Sequence, residues 1–180
     1  LRVPGKFNAY NALPAVAAGL YFGIHVEKIK KSLADFAGIW RRFEVKGNYK
    51  NAFIISDYAH HPTAVRATIE AAREFYPGHK IVVVFQPHQH NRTKMLYQDF
   101  LKSFDKADMV ILSEIFDVAG REENKDQNVS SRGMVEDIKF VIASNPPTGG
   151  ECGNLAPDSI FYAANLAETR KTIDEKIKKG

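Results

Sequence analysis

The chain has 180 residues, 44% hydrophobic and 26% charged, with a net charge of +4 and a pI near 9.1. That balance suits one good-sized domain, or one domain plus part of another, and excludes disorder as the main state. No apolar run approaches the ~20 residues that span a bilayer, and a single cysteine, Cys152, excludes an intrachain disulfide or a cysteine-based zinc site.

Residues 8–22 are Ala-rich, with Ala12, Ala15, Val16, Gly19 and Leu20 at helical spacing. Asn8 or Asn11 is the expected N-cap, and Pro14 is expected in the first turn. A second helix is predicted over 26–36, with Ile29, Leu33 and Phe36 on one face. Two short helices cannot bury their apolar faces on each other alone, so this segment reads as the remnant of a larger unit.

From Arg41 the texture changes. Phe43 and Val45 alternate with charged residues, which predicts an edge strand, and residues 52–55 predict a short apolar strand ending at Ser56-Asp57. Pro62 opens a predicted helix to Tyr76, closed by Pro77-Gly78. The continuous apolar run over 80–85 predicts a strand buried on both faces. A helix over 93–105, a strand over 109–112 and a polar loop follow. Next come a helix over 131–143, an irregular Asn/Pro/Gly stretch and a strand around 160–162. A closing helix starts with capping-box-like spacing at Asn165 and Glu168. This alternation predicts an α/β fold: an open, mostly parallel sheet with helices on both faces, preceded by a short helical remnant of another domain.

In such sheets ligands gather at the carboxyl ends of the strands. Two loops there hold four of the six histidines: Asp57-Tyr58-Ala59-His60-His61 and Gln86-Pro87-His88-Gln89-His90-Asn91-Arg92. The first sets a carboxylate, a phenol and two imidazoles just before a helix N-terminus, which favours anions. It reads as a substrate-facing loop, as a metal site, or as histidines that cap a helix. Adjacent histidines point in different directions, which weighs against one shared ion. In the second loop, Arg92 can grip a carboxylate or phosphate through its planar fork. The pair Arg41-Arg42 reads, unaided, as solvated arginines at a strand start.

No RNA-binding aromatic motif or helix-turn-helix pattern appears, and Lys176-Ile177-Lys178-Lys179 reads as a solvated helix end. Neither a nucleic-acid nor a membrane partner is expected, and the modest positive balance suits an anionic nucleotide equally. No GxxxxGK[ST] phosphate loop, GxSxG elbow, HExxH pair or GxGxxG fingerprint occurs. The chain opens at Leu1 with no signal-peptide pattern, and with no phosphate loop it reads as a fragment.

VPGKFNAYNALPAVAAGLYFGI, GIWRRFEVKG, DYAHHPTAVRATIEAARE, VVVFQPHQHNRTK and AGREE occur here in that order, and in this the chain resembles the Mur ligases. The resemblance covers residues 1–135 well and the rest loosely. It implies that residues 1–40 are the C-terminal helices of a central ATPase domain. Residues 41–180 would then be the C-terminal, Rossmann-like, amino-acid-binding domain, with its final strand missing. It implies an ATP-dependent acid–amino-acid ligase of the cytoplasm, with ATP and Mg²⁺ as cofactors and UDP-N-acetylmuramate and L-alanine as substrates, inactive without its other domains. By the same resemblance Asn8, Asn11, Arg42 and Asp57 face the nucleotide, while Tyr58, His60, His88 and Arg92 face the amino acid. Phe7 stands where the family commonly has histidine, Ser56 replaces a frequent aspartate, and Gln89 stands where some members carry a second arginine. A ligase for the murein tripeptide and a non-catalytic His-rich module that binds metal or a partner are the alternatives.

Overall fold

The computed structural model describes residues 1–117, 128–144 and 155–177. The AGREE segment, Cys152, most of the irregular stretch after residue 144 and the terminal lysines 178 and 179 lie outside them.

Helix α1 (Lys6–Tyr21) is capped by Gly5 in a left-handed conformation (φ 91°), with no side-chain cap. A Cβ at Gly5 would run into the ring of Phe7, so both backbone and space call for glycine. Asn8 therefore lies inside the helix, its amide donating back to the Pro4 carbonyl at 2.7 Å, and neither it nor Asn11 is the N-cap. Pro14 also sits well inside α1 rather than in its first turn, leaving one helical N–H missing. Helix α2 (Val26–Asp35) packs on α1 where Gly19 lets Ile29 approach closely.

Strands β1 (Glu44–Tyr49) and β2 (Ala52–Ser56) form an antiparallel hairpin. Lys50 and Asn51 join them, both with positive φ (47° and 64°), the type I′ geometry that matches strand twist. Helix α3 (Pro62–Phe75) starts at Pro62 as predicted and is followed by β3 (Val82–Phe85). The helix expected over 93–105 is two short ones, α4 (His90–Met95) and α5 (Tyr97–Leu101), separated where Leu96 leaves helical geometry (φ −107°, ψ 15°). Strand β4 (Met109–Ser113), helix α6 (Ser131–Ser144), strand β5 (Ile160–Ala163) and helix α7 (Leu166–Lys176) complete the order. Asn165 caps α7 by accepting the Glu168 N–H at 3.0 Å, and the Glu168 carboxylate answers on the Ala164 N–H at 2.8 Å.

Strands β3, β4 and β5 form a parallel sheet in that order, with Val84 opposite Ile111 and Ile111 opposite Phe161. Val110 and Leu112 point into a core shared with Val65 and Ile69 of α3, Phe100 of α5, Phe104, and Met134 and Ile138 of α6. On the opposite face the Ser113 hydroxyl bonds that of Thr169 in α7 at 3.0 Å. Helices thus cover both faces, as the alternation predicts. Two expectations change. Among the described residues β2 pairs only with β1, outside the parallel sheet, and Phe53 and Ile54 stay exposed. β3 is buried on one face only: Phe85 is enclosed, while Val84 is 48% exposed because it lies at the sheet edge on the α7 side.

The hairpin is tied down at both ends. Phe43, at its base, stacks on Tyr76 and packs with Ala71 and Ala72, and Phe7 of α1 reaches this cluster. At its tip, Tyr49 and Lys50 both bond the Asp174 carboxylate of α7. Phe104 is fully buried beside Phe85, its ring centroid 5.6 Å away. Phe104→Ala should cost about 3–5 kcal/mol, read as a lower urea midpoint with unchanged slope.

Candidate functional site

The loop after β2 opens with Asp57, whose two carboxylate oxygens accept different main-chain N–H groups. Oδ2 takes that of Phe43 at 2.8 Å and Oδ1 that of Ala59 at 2.7 Å. The turn so gripped is unusual: Arg41 (φ 56°) and Phe43 (φ 49°) are both left-handed non-glycine residues, with Arg42 between them. Such residues cost ~1–3 kcal/mol each and persist only where surrounding contacts hold them. A second carboxylate helps, because Glu44 Oε2 accepts the Arg41 N–H at 3.0 Å. The turn carries its guanidinium groups onto the ring of Tyr58, Arg41 at 4.8 Å and Arg42 at 5.6 Å from the centroid. Tyr58 meets His60 edge-on at 5.3 Å. Arg42, Asp57, Tyr58 and His60 therefore form one cluster. His61 does something else: its ring accepts the Thr63 N–H at 3.3 Å as the N-cap of α3, the helix-capping reading of the loop.

A second cluster forms where the loops after β3 and β4 meet. Main-chain bonds from Gln89 N–H to the Phe116 carbonyl and from Phe116 N–H to the Pro87 carbonyl, both 2.8 Å, extend the parallel pairing beyond the strands. His88 pairs across with Phe116, ring centroids 5.3 Å apart, and its Nδ1 is buried without a hydrogen-bond partner. Gln89 adopts φ 71°, and His90 begins α4 with both its main-chain N–H and its Nδ1 on the Asp117 carboxylate, at 3.3 and 2.8 Å. Arg92 is half-buried in the first turn of α4, and its guanidinium has no hydrogen bond or ion pair among the described residues. Next to this cluster, the Glu114 carboxylate accepts the Tyr162 hydroxyl at 2.5 Å, and Arg132 lies over the Tyr162 ring at 4.9 Å. That bond to Glu114, with some burial, holds the Tyr162 phenol above its ordinary pKa.

The two clusters rest on one core, Ala59 packing against the same apolar group as Phe85. Asn8 and Asn11 are in α1 and make no hydrogen bond to either cluster among the described residues; the Asn11 amide donates weakly to Asn8 Oδ1 at 3.4 Å. Beside the Arg41–Phe43 turn, among the residues that precede α1 and the end of α3, is a cavity of about 430 Å³, lined by Arg2, Trp40, Arg42, Glu44, Phe75 and Tyr76 among others. Among the described residues, no three His, Cys, Asp or Glu side chains come together to hold a metal ion, and no helix is long and apolar enough to cross a membrane. The sequence reads the pair Arg41-Arg42 as solvated, and the resemblance assigns a site role to Arg42 but not to Arg41. Neither marks the His90–Asp117 pair, whose members are 27 residues apart and carry no local signal.

Among the described residues the guanidinium groups of Arg41, Arg42 and Arg92 have no carboxylate partner, and this rim of cations has the chemistry to bind carboxylates and phosphates. Fold and topology define an α/β domain, a parallel sheet with helices on both faces and an antiparallel hairpin beside it. Residues 41–175 match the model of the Mur ligase glutamate ligase domain, and the chain belongs to the Mur ligase family. It is 45% identical over 140 residues to the UDP-N-acetylmuramate–L-alanine ligase of Caldanaerobacter subterraneus, covering 78% of this chain and 29% of that one. It is 37% identical over 181 residues to the enzyme of the same name from a Sulfurihydrogenibium strain, covering 100% of this chain and 36% of that one. The chain thus spans about a third of these relatives. A solved murein peptide ligase from Psychrobacter arcticus superposes with a TM-score of 0.63 at 25% identity, covering 98% of this chain and 32% of that one.

The Glu44 carboxyl is held below its ordinary pKa, first by the Arg41 N–H and then by Lys46. Its contribution is therefore complete above the ordinary glutamate range and lost as pH falls through the lowered value. Trp40, the only tryptophan, stacks near Arg41 and reports on this turn. Its emission should show an acid transition below the ordinary glutamate pKa that disappears in Glu44→Gln. An unchanged transition in that variant would show that Glu44 does not hold the turn.

Proposed function

We propose that this chain is the C-terminal part of a cytoplasmic, ATP-dependent ligase that joins L-alanine to UDP-N-acetylmuramate in building the peptidoglycan precursor. The observation that carries the reading is the 45% identity over 140 residues to an enzyme named for that reaction. In it, residues 1–40 close a central ATPase domain and residues 41–180 form the amino-acid domain. The exposure of Tyr10, Tyr21 and Phe22 (72%, 85% and 76%) supports the first half, because such side chains are normally covered.

A carboxylate is a poor electrophile, so ATP first phosphorylates the muramyl carboxylate. The amine of L-alanine then attacks the acyl phosphate and releases phosphate. The work left to this chain is to position both partners and balance charge. Arg42 would meet nucleotide phosphates and Arg92 the L-alanine carboxylate, because each guanidinium lacks a carboxylate partner among the described residues. Asn8 and Asn11 would face the adenine, with Asp57 beside the nucleotide; Tyr58, His60 and His88 would line the amino-acid side. The ligands of magnesium would lie mainly in the rest of the enzyme, as the family resemblance implies. The likeness to the murein peptide ligase favours a second reading, in which the acceptor is a tripeptide.

A chimera in which this chain replaces the matching third of the Caldanaerobacter enzyme decides between them. ADP release should require L-alanine, whereas release with the tripeptide alone would establish the second reading. This chain alone should release none. In the active chimera Arg92→Ala should raise the L-alanine KM ~10- to 100-fold with a smaller change in kcat, the loss expected for one charge-assisted bidentate contact.

A further inference from the structure

The Asp57 carboxylate joins two segments that the chain keeps apart. One of its hydrogen bonds is local and shapes the loop bearing Tyr58 and His60. The other crosses fourteen residues to the Phe43 N–H, in the turn that carries Arg41 and Arg42. Left-handed φ on both sides of Arg42 means that the turn, left unheld, would relax toward ordinary geometry and carry its guanidinium groups with it. Above the carboxylate, turn and loop meet again, because both guanidinium groups lie over the Tyr58 ring. A movement of either segment is thus felt by the other through two routes, one through the backbone and one through side chains.

We propose that Asp57 is a positioning residue: by holding Phe43 and Ala59 with one carboxylate, it fixes the Arg41–Arg42 pair against Tyr58 and couples the anion-facing turn to the acceptor-facing loop. Its consequence for substrates rests on the ligase reading; the geometry does not. An anion that draws Arg42 away from Tyr58 loosens one side of the loop, and an amino acid seated against Tyr58 changes what the arginines stack on. The coupling is reciprocal, so each ligand alters the affinity of the other by the same factor.

The first test is NMR of the full 180-residue chain, following the arginine side-chain signals. Two sets of arginine signals should be shifted upfield by the Tyr58 ring, and Tyr58→Leu, which removes that ring, identifies them. Asp57→Ala should abolish both shifts while the core signals of Met134 and Ile138 stay in place. Asp57→Asn, which keeps one acceptor oxygen, should retain part of them. Should Asp57→Ala fail to fold, the Asn variant reads the same effect. Arginine shifts that persist while the Phe43 and Ala59 amide signals move would overturn the proposal, since the carboxylate would then hold backbone without placing the arginines.

The second test uses the chimera, measuring L-alanine binding with and without a non-hydrolysable ATP analogue. A coupling on the order of 5- to 150-fold should fall toward unity in Asp57→Asn. An undiminished coupling in that variant would overturn the proposal. An unsubstituted chimera without ligase activity would sink the ligase reading and leave the arginine shifts to decide the role of Asp57.

Discussion

Asp57 accepts one main-chain N–H from each of the two segments that build the first half of the rim, and much of the local architecture follows from that double hold. Phe43 can take its left-handed conformation because its N–H has a charged acceptor at 2.8 Å and its ring is buried on Tyr76. With Phe43 fixed, Arg42 is carried to the face of Tyr58, and β1 starts in register with β2, Glu44 opposite Ser56. The hairpin then runs to its Lys50–Asn51 turn and docks on α7 through Asp174. Asp174 is held below its ordinary pKa, first by Lys50 and then by Tyr49.

The second half of the rim is organised by main-chain pairing. Where β3 and β4 end as strands, Pro87, Gln89 and Phe116 continue the exchange of hydrogen bonds, and Asp117 grips His90 at the head of α4. Arg92 is thereby set one residue before the buried Thr93, whose hydroxyl bonds back to Gln89 at 2.8 Å. The two halves use different means to one end: cationic side chains on backbone that other contacts hold in place.

Much of this was legible from residues alone. Pro62 and the Pro77-Gly78 pair bracket α3 because proline suits a first turn and cannot continue a last one, and Asn165 with Glu168 marks the start of α7. The apolar run of β4 is buried throughout from Val110 to Ser113, as a central strand must be. The similar run in β3 reads the same way but lies at an edge, and a run of valines does not say how many neighbours its strand has. The hairpin turn carries Lys-Asn rather than the Asn-Gly or Asp-Gly that announces type I′ geometry. Gly5 was overlooked as the cap of α1 because Asn8 and Asn11 have better capping side chains; the left-handed backbone and the nearby Phe7 ring decide in favour of glycine. At the site, residue types pointed to the two His-bearing loops, and within them the family resemblance selected Tyr58, His60, His88 and Arg92. The contacts of Asp57 with Phe43 and of His90 with Asp117 join distant positions, and only the folded chain shows them.

Arg42 and Arg92, without carboxylate partners among the described residues and one on each half of the rim, are the physical core of the proposed site. The most direct measurement is a crystal structure of the chimera with ADP and L-alanine bound. It should place the Arg92 guanidinium on the amino-acid carboxylate and Arg42 toward the nucleotide phosphates, with Asp57 still joined to Phe43 and Ala59. An amino acid bound elsewhere, with Arg92 turned to solvent, would contradict it.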